Sequence, residues 1–202
     1  MKATLKAMAL TAALVLGLTV LSGTTRADDA KTPPSPAALM KMMAEAGKPG
    51  PEHKKLQPFV GDWTFTMKMW TDPSQPPAEL KGTIERKWIL DGRFVQETLK
   101  SEFEGKPFEG LGLLGYDHAQ KKFTVVRVCG LCGIAAQSSV TSNSAGTKFE
   151  CATEECCPLS GEKVKGRDEI VIESNDRIVA NVYKTINGKE VKVVEVVSVR
   201  KR

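Results

Sequence analysis

From Asp62 to the C-terminus, apolar and polar side chains alternate with period two, which is the pattern of half-buried strands and not of helices. In the first such stretch Trp63, Phe65, Met67 and Met69 share one face, and Thr64, Thr66 and Lys68 share the other. Asp91-Gly92 and Asn187-Gly188 are two-residue hairpin signals, because both positions of such a turn need positive φ. Tyr116 to Lys121, Asn143 to Gly146, Pro158 to Gly161 and Ser174 to Arg177 supply further turns. The pattern predicts about ten antiparallel strands, near 62–71, 80–90, 93–103, 108–116, 121–128, 134–141, 147–153, 162–172, 177–186 and 189–200. No long helical segment interrupts them. The expected fold is all-β, an up-and-down barrel, since closing the meander removes both exposed edges.

Upstream of the strands the period is helical. Ser35-Pro36 has the form of an N-cap with proline at the first helical position, and Gly47 of a stop, so a short N-terminal helix is predicted over 36–46. Leu39, Met40, Met42 and Met43 give it an apolar side, expected to pack on the protein through pliable side chains; copper binding by the methionines is the other reading.

Residues 1–27 carry Lys2 and Lys6, an apolar run from Ala7 to Leu21, and small residues around Arg26, the pattern of a cleaved secretory signal peptide. The expected organisation is a signal peptide over 1–27, a flexible leader over 28–35, and one domain over 36–202, large enough to bury a core. Such a protein is exported, periplasmic or secreted, with no membrane span after cleavage. Removing Lys2, Lys6 and Arg26 lowers the formal net charge from +5 to +2, so charge does not argue for a nucleic-acid partner.

All five cysteines, Cys129, Cys132, Cys151, Cys156 and Cys157, fall between positions 129 and 157. On the predicted meander Cys129 and Cys132 follow the fifth strand and Cys156 and Cys157 the seventh, at one end of the barrel, with Cys151 lower in the seventh strand. Pairing across the hairpin at Ser144-Ala145 would set Cys132 opposite Cys156 or Cys157. Disulfides stapling this rim suit an oxidising compartment. A tetrahedral site for zinc or another soft metal, from Cys129, Cys132, Cys156 and Cys157, is a second reading, and free or partly oxidised thiols a third. Cys129-Gly130-Leu131-Cys132 also has thioredoxin-like spacing, but that motif normally opens a helix, and here it leads into a strand.

A second group of residues follows from strand parity. Across the Asp91-Gly92 turn Trp88 faces Val95, Arg86 faces Glu97 and Ile84 faces Leu99, so Arg86 and Glu97 are flanked by apolar residues. Asp168 sits likewise between Val164 and Ile170, and Glu195 between Val193 and Val197. If these faces line the interior, Arg86, Trp88, Glu97, Asp168 and Glu195 are the candidate ligand-binding residues of a mostly apolar cavity. Arg86 would hold a ligand carboxylate, or Arg86 and Glu97 would only neutralise each other. The two histidines, His53 and His118, lie in a Pro/Gly-rich connection and a turn; both are expected to be solvated, with no nucleophile placed beside them. Gly110, Gly112 and Gly115 fall within or at the end of a strand and form no phosphate-cradling loop.

Gly61-Asp62-Trp63 opens the first strand and Arg200 ends the last, at the same barrel end. This resembles the lipocalin-like (calycin) arrangement, in which the tryptophan plugs the closed end beneath an arginine from the final strand. The resemblance implies structural roles for Trp63 and Arg200 through packing and a cation–π contact. Gly47-Lys48-Pro49-Gly50-Pro51-Glu52-His53, Val60 to Trp63, Arg86 to Glu97 and Gly105 to Gly110 also resemble a bacterial family catalogued as domain of unknown function 1579. That resemblance runs from about Met40 to the C-terminus, weakens where the cysteines sit, and implies the barrel without implying a substrate.

The combined expectation is an exported barrel that binds a small apolar or amphipathic molecule without catalysis and carries a cysteine-rich rim. A zinc-like thiolate sensor or carrier is the alternative, and a thiol oxidoreductase the third.

Overall fold

The computed structural model describes residues 33–156 and 161–202; the expected signal peptide, most of the leader and Cys157 lie outside them. The strands are β1 (Gly61–Met69), β2 (Ala78–Ile89), β3 (Phe94–Phe103), β4 (Lys106–Asp117), β5 (Lys122–Cys129), β6 (Ala135–Ser142), β7 (Lys148–Cys156), β8 (Lys163–Ser174), β9 (Arg177–Ile186) and β10 (Lys189–Arg200). Each pairs antiparallel with its neighbours in sequence, and β1 also pairs with β10, which closes the barrel. A short helix α1 (Pro36–Ala46), a one-turn helix α2 (Pro51–Lys54) and a 3-10 turn over Gln57–Phe59 precede the strands.

Turn chemistry sets the registers. Asn187 and Gly188 both adopt positive φ and join Ile186 to Lys189 across the last hairpin. Leu90, Asp91 and Gly92 are also positive in φ, and the β2–β3 ladder beyond them pairs Trp88 with Val95, Arg86 with Glu97 and Ile84 with Leu99. Trp63 sits opposite Arg200 on one side and Ile84 on the other, so alternation turns Trp63, Phe65 and Met67 inward.

The end of the barrel at Trp63 is capped by the segment that sequence pattern left without an element. Proline at the start of α2 and in the 3-10 turn fixes φ where the chain bends. His53, Leu56 and Phe59 are thereby buried across the barrel end. Trp63 is wholly buried, and its indole N–H donates to Phe59 O at 2.9 Å. The Arg200 guanidinium stacks 4.1 Å above the Trp63 ring and donates to Val60 O, Pro58 O and Asn175 O. Below lies an edge-to-face aromatic chain, Phe59–Phe149–Phe123–Tyr116, with ring centroids 5.2–5.3 Å apart.

Two expectations are corrected here. His53 is buried, not solvated: its Nδ1 accepts the Gly50 N–H at 3.0 Å, and its ring lies 5.1 Å from His118. Burial, with the charges of His118 and Arg93, lowers its pKa. The helix α1 has its expected span and its Ser35 cap, but buries no residue; Leu39, Met40, Met42 and Met43 are all exposed, Met40 by 67%. The barrel end is already filled by α2 and the 3-10 turn, which leaves the methionines no surface there.

One seam interrupts the hoop. β7 and β8 pair over nine rungs, whereas β6 and β7 pair only through Thr141–Glu150 and Ser142–Phe149, at the capped end. The Asn143 side chain holds that turn, accepting from Thr147 N and Lys148 N. Above it β6 offers Ala135, Ala136, Gln137, Ser138 and Ser139, with no large side chain to grip a neighbour. The acidic residues of β7 bond away from β6, Glu154 to Lys163 and Glu155 to Lys184. The expected pairing that would set Cys132 opposite Cys156 therefore does not form, and the two stand on opposite lips of the seam.

Trp63→Ala should destabilise the fold by about 3–5 kcal/mol, the cost of emptying a fully buried aromatic site. Chemical denaturation monitored by circular dichroism checks it, and a loss under 1 kcal/mol would show that the plug is dispensable.

Candidate functional site

The lumen holds a belt of charge. Inward alternation carries Arg86 on β2, Glu97 on β3, Arg127 on β5 and Asp168 on β8 into the interior. Arg86 Nε donates to Glu97 Oε2 at 2.6 Å, with the side chains only 9% and 13% exposed. The Arg86 guanidinium also lies 5.8 Å from the Phe59 ring and 6.0 Å from Trp63. Between Glu97 and Arg127 stands Gly112, where a Cβ would come within 3.2 Å of Glu97 Cβ and 3.3 Å of its Oε1. Glycine there leaves room for the two side chains to approach. Arg127 then reaches across the lumen, its Nη1 3.9 Å from Asp168 Oδ2.

The two carboxylates respond oppositely. Burial pushes Glu97 up, but the Arg86 and Arg127 charges and the Arg86 hydrogen bond outweigh it and hold Glu97 below the usual carboxylate range. Burial also pushes Asp168 up, and Arg127 offsets it only in part. Arg127 is half exposed and can turn to water, so it is a weak partner. Arg86 Nη1, Asp168 Oδ1, Thr153 Oγ1 and Asn181 Oδ1 are buried without a hydrogen-bond partner among the described residues.

Above the belt, on the cysteine side, the barrel is open. A cavity of about 1200 Å3 lies along the seam, lined by Ile134, Ala136, Ser138, Thr153, Lys184 and Val193 among others. Cys151 is buried beneath it, its thiol pushed up by burial and by the charge of Asp168. Arg127, Ser138, Cys151 and Asp168 also share a separate void of about 20 Å3, enough for one water.

The expected ligand residues divide. Arg86, Glu97 and Asp168 face the lumen but do not line the large cavity. Trp88 is inward too, yet its indole N–H donates to Gln57 Oε1 at 2.8 Å, tying β2 to the cap. Glu195 is corrected outright. It pairs with Lys68, on the outer face, while Val194 and Val196 turn inward beside Met69 and Met67. A bulge between Lys192 and Val194 shifts the pattern on β10, and Glu195 bonds Lys192, whose ammonium lies over Trp70.

The four described cysteines do not meet at one point. Cys129, Cys132, Cys151 and Cys156 are all free thiols. Among the described residues no three His, Cys, Asp or Glu side chains are grouped to hold a metal ion. Among the described cysteines Cys129 and Cys132 form a pair, joined by a thiol hydrogen bond within one turn.

The model of the family described as "Protein of unknown function (DUF1579)" matches residues 48–200. No curated protein matches the chain. Among solved structures, that of Rv2717c from M. tuberculosis is similar with a TM-score of 0.57 and 17% identity, over 77% of this chain and 100% of that one. A redesigned β-barrel gives a TM-score of 0.40 at 12% identity, over 73% and 96%. The first likeness supports the barrel fold and carries nothing about a ligand.

Glu97→Gln should cost about 3–5 kcal/mol at neutral pH, because it strands the buried Arg86 charge. The wild-type contribution is present above the unfolded carboxylate pKa and fades as pH falls through the lowered folded value, so the gap should narrow in acid. Asp168→Asn should do the reverse. A raised folded pKa makes the ionised form costly once pH exceeds it, so this variant should be more stable than wild type at pH 7 and lose that advantage in acid. Denaturant titrations at pH 7 and pH 4 separate the two.

Proposed function

This chain belongs to the DUF1579 family, whose description assigns no function, and from its lumen we propose that it binds a small, partly apolar molecule without catalysis. The observation that carries this is the cavity of about 1200 Å3 along the β6–β7 seam, larger than most small-molecule sites. Its walls mix aliphatic side chains, Ile134, Ile186 and Val193, with hydroxyls and with charged groups such as Glu150 and Lys184, which suits an amphipathic molecule. Ser138 would orient a polar end of the ligand, and the Lys184–Glu155 pair, 2.6 Å apart, stands at the lip. The open rungs supply a way in without unfolding a ladder. Both histidines sit at the capped end, so no imidazole reaches the hydroxyls and thiol of the cavity. This favours holding a molecule over transforming it. Export of the protein rests on the pattern of residues 1–27.

A hydrophobic fluorescent probe should bind the purified protein at one site, and Ser138→Trp, which sets an indole inside the cavity, should weaken that binding at least about tenfold, or 1.4 kcal/mol. Glu195→Gln, on the outer face, should leave it unchanged. Absence of probe binding to the wild type, or equal binding by Ser138→Trp, would remove this reading.

A further inference from the structure

We infer that Cys129 and Cys132 form a redox dithiol at the barrel mouth, Cys129 attacking and Cys132 resolving, which exchanges electrons with small disulfides. The pair sits in the turn from β5 to β6. Cys129 N donates to Ile134 O and Gly133 N to Cys129 O, both at 2.9 Å, and Gly133 adopts a φ of +66°. This closed turn folds the Cys132 thiol back onto the Cys129 sulfur. It also aims the backbone N–H groups of Leu131 and Cys132 at that sulfur. In redox proteins built on Cys-x-x-Cys, a helix N-terminus does this work by presenting unpaired N–H groups to the first thiol. Here a β-turn supplies the same donors.

The asymmetry within the pair gives each sulfur its role. Burial works against ionising Cys129, but the hydrogen bonds from Cys132 and from the two amides outweigh it and hold the thiol below its ordinary range. Cys132 is raised, by burial and by its bond to Cys129, so it stays protonated as the donor until its partner is consumed. Both sulfurs can be reached from the rim, Cys132 exposed and Cys129 partly so, whereas Cys151 is buried in the lumen and Cys156 stands across the open seam.

The chemistry balances with one disulfide as oxidant. The Cys129 thiolate attacks one sulfur of R–S–S–R; that S–S bond breaks, and the first thiolate leaves and takes a proton. Cys132 then loses its proton and attacks the Cys129 sulfur of the mixed disulfide, expelling the second thiolate. The dithiol has given two electrons, the substrate has become two thiols, and the turn holds a Cys129–Cys132 disulfide.

The test uses the full chain, oxidised and reduced glutathione as the small disulfide and thiol, and mass spectrometry of alkylated peptides. In the reduced protein at pH 7, Cys129 should alkylate at least several-fold faster than Cys132 and Cys151. With oxidised glutathione the first disulfide formed should lie within one peptide, Cys129 to Cys132, and reduced glutathione should reverse it. Cys132→Ser should trap glutathione on Cys129, and Cys129→Ser should slow reaction with oxidised glutathione at least tenfold. A first disulfide joining Cys132 to Cys156 or Cys157 would overturn the inference. So would Cys129 reacting no faster than Cys151, or thiols that stay masked by a metal until chelator is added. The wild-type alkylation order decides the matter even if a variant fails to fold, and none of these readouts depends on cavity binding.

Discussion

Closure through β1 and β10 forces every inward residue of ten strands into a lumen sealed at one end, and the character of the molecule follows from what that lumen must hold. Seven rungs join the two strands, ending at Trp63 opposite Arg200. At that end the chain arrives through a non-repetitive segment whose carbonyls belong to no ladder. Arg200 answers this with two of them, Val60 O and Pro58 O, and with Asn175 O, while its face covers Trp63. A planar guanidinium can make these hydrogen bonds and the ring contact together, which a lysine ammonium could not. The contact therefore joins three parts of the chain: the cap, the last strand and the β8–β9 turn.

Sealing the lumen makes charge inside it costly unless paired. The belt from Arg86 to Asp168 shows graded success. Arg86 and Glu97 are neighbours on adjacent strands and pair tightly. Glu97 and Arg127 are separated by one strand, and the missing side chain of Gly112 lets their fields overlap. Arg127 and Asp168 face each other across the lumen at 3.9 Å, and Asp168 keeps an unpartnered oxygen. The belt thus weakens towards the seam, where water can enter and the need for pairing is relaxed.

Most of the barrel was legible in the sequence because its signals are local. Period-two alternation placed the ten strands within a few residues, and Asp91-Gly92 and Asn187-Gly188 fixed two registers through their need for positive φ. The cap was not legible: α2 and the 3-10 turn are too short for a periodic signal, and the burial of His53 depends on the barrel end they cover. Arg127 was missed for another reason. In Phe123-Thr124-Val125-Val126-Arg127-Val128 both faces of the strand carry valine, so parity does not say which points inward, although Phe123 and Val125 are the buried pair. Glu195 was misplaced by the same ambiguity on β10, compounded by a bulge that only the ladder reveals. The cysteine turn lay in plain view as a spacing, but the direction of its amides is a three-dimensional fact.

The seam follows from composition as well. Strand pairs in a barrel are held by their ladders and by side-chain contacts across them, and β6 above its turn contributes alanine, serine and glutamine where other strands contribute valine, leucine or phenylalanine. Without that packing the ladder alone must keep β6 on β7. A net hydrogen bond yields only about 1 kcal/mol, and edge groups exposed at a mouth recover most of it from water. The balance is tipped by Glu154 and Glu155, which bond Lys163 and Lys184 and so draw the upper half of β7 towards β8 and β9. Opening here costs little, because β5 still holds β6 on one side through Val125, Val126 and Val128 and β8 holds β7 on the other over nine rungs; the hoop parts where its side chains do least to hold it shut.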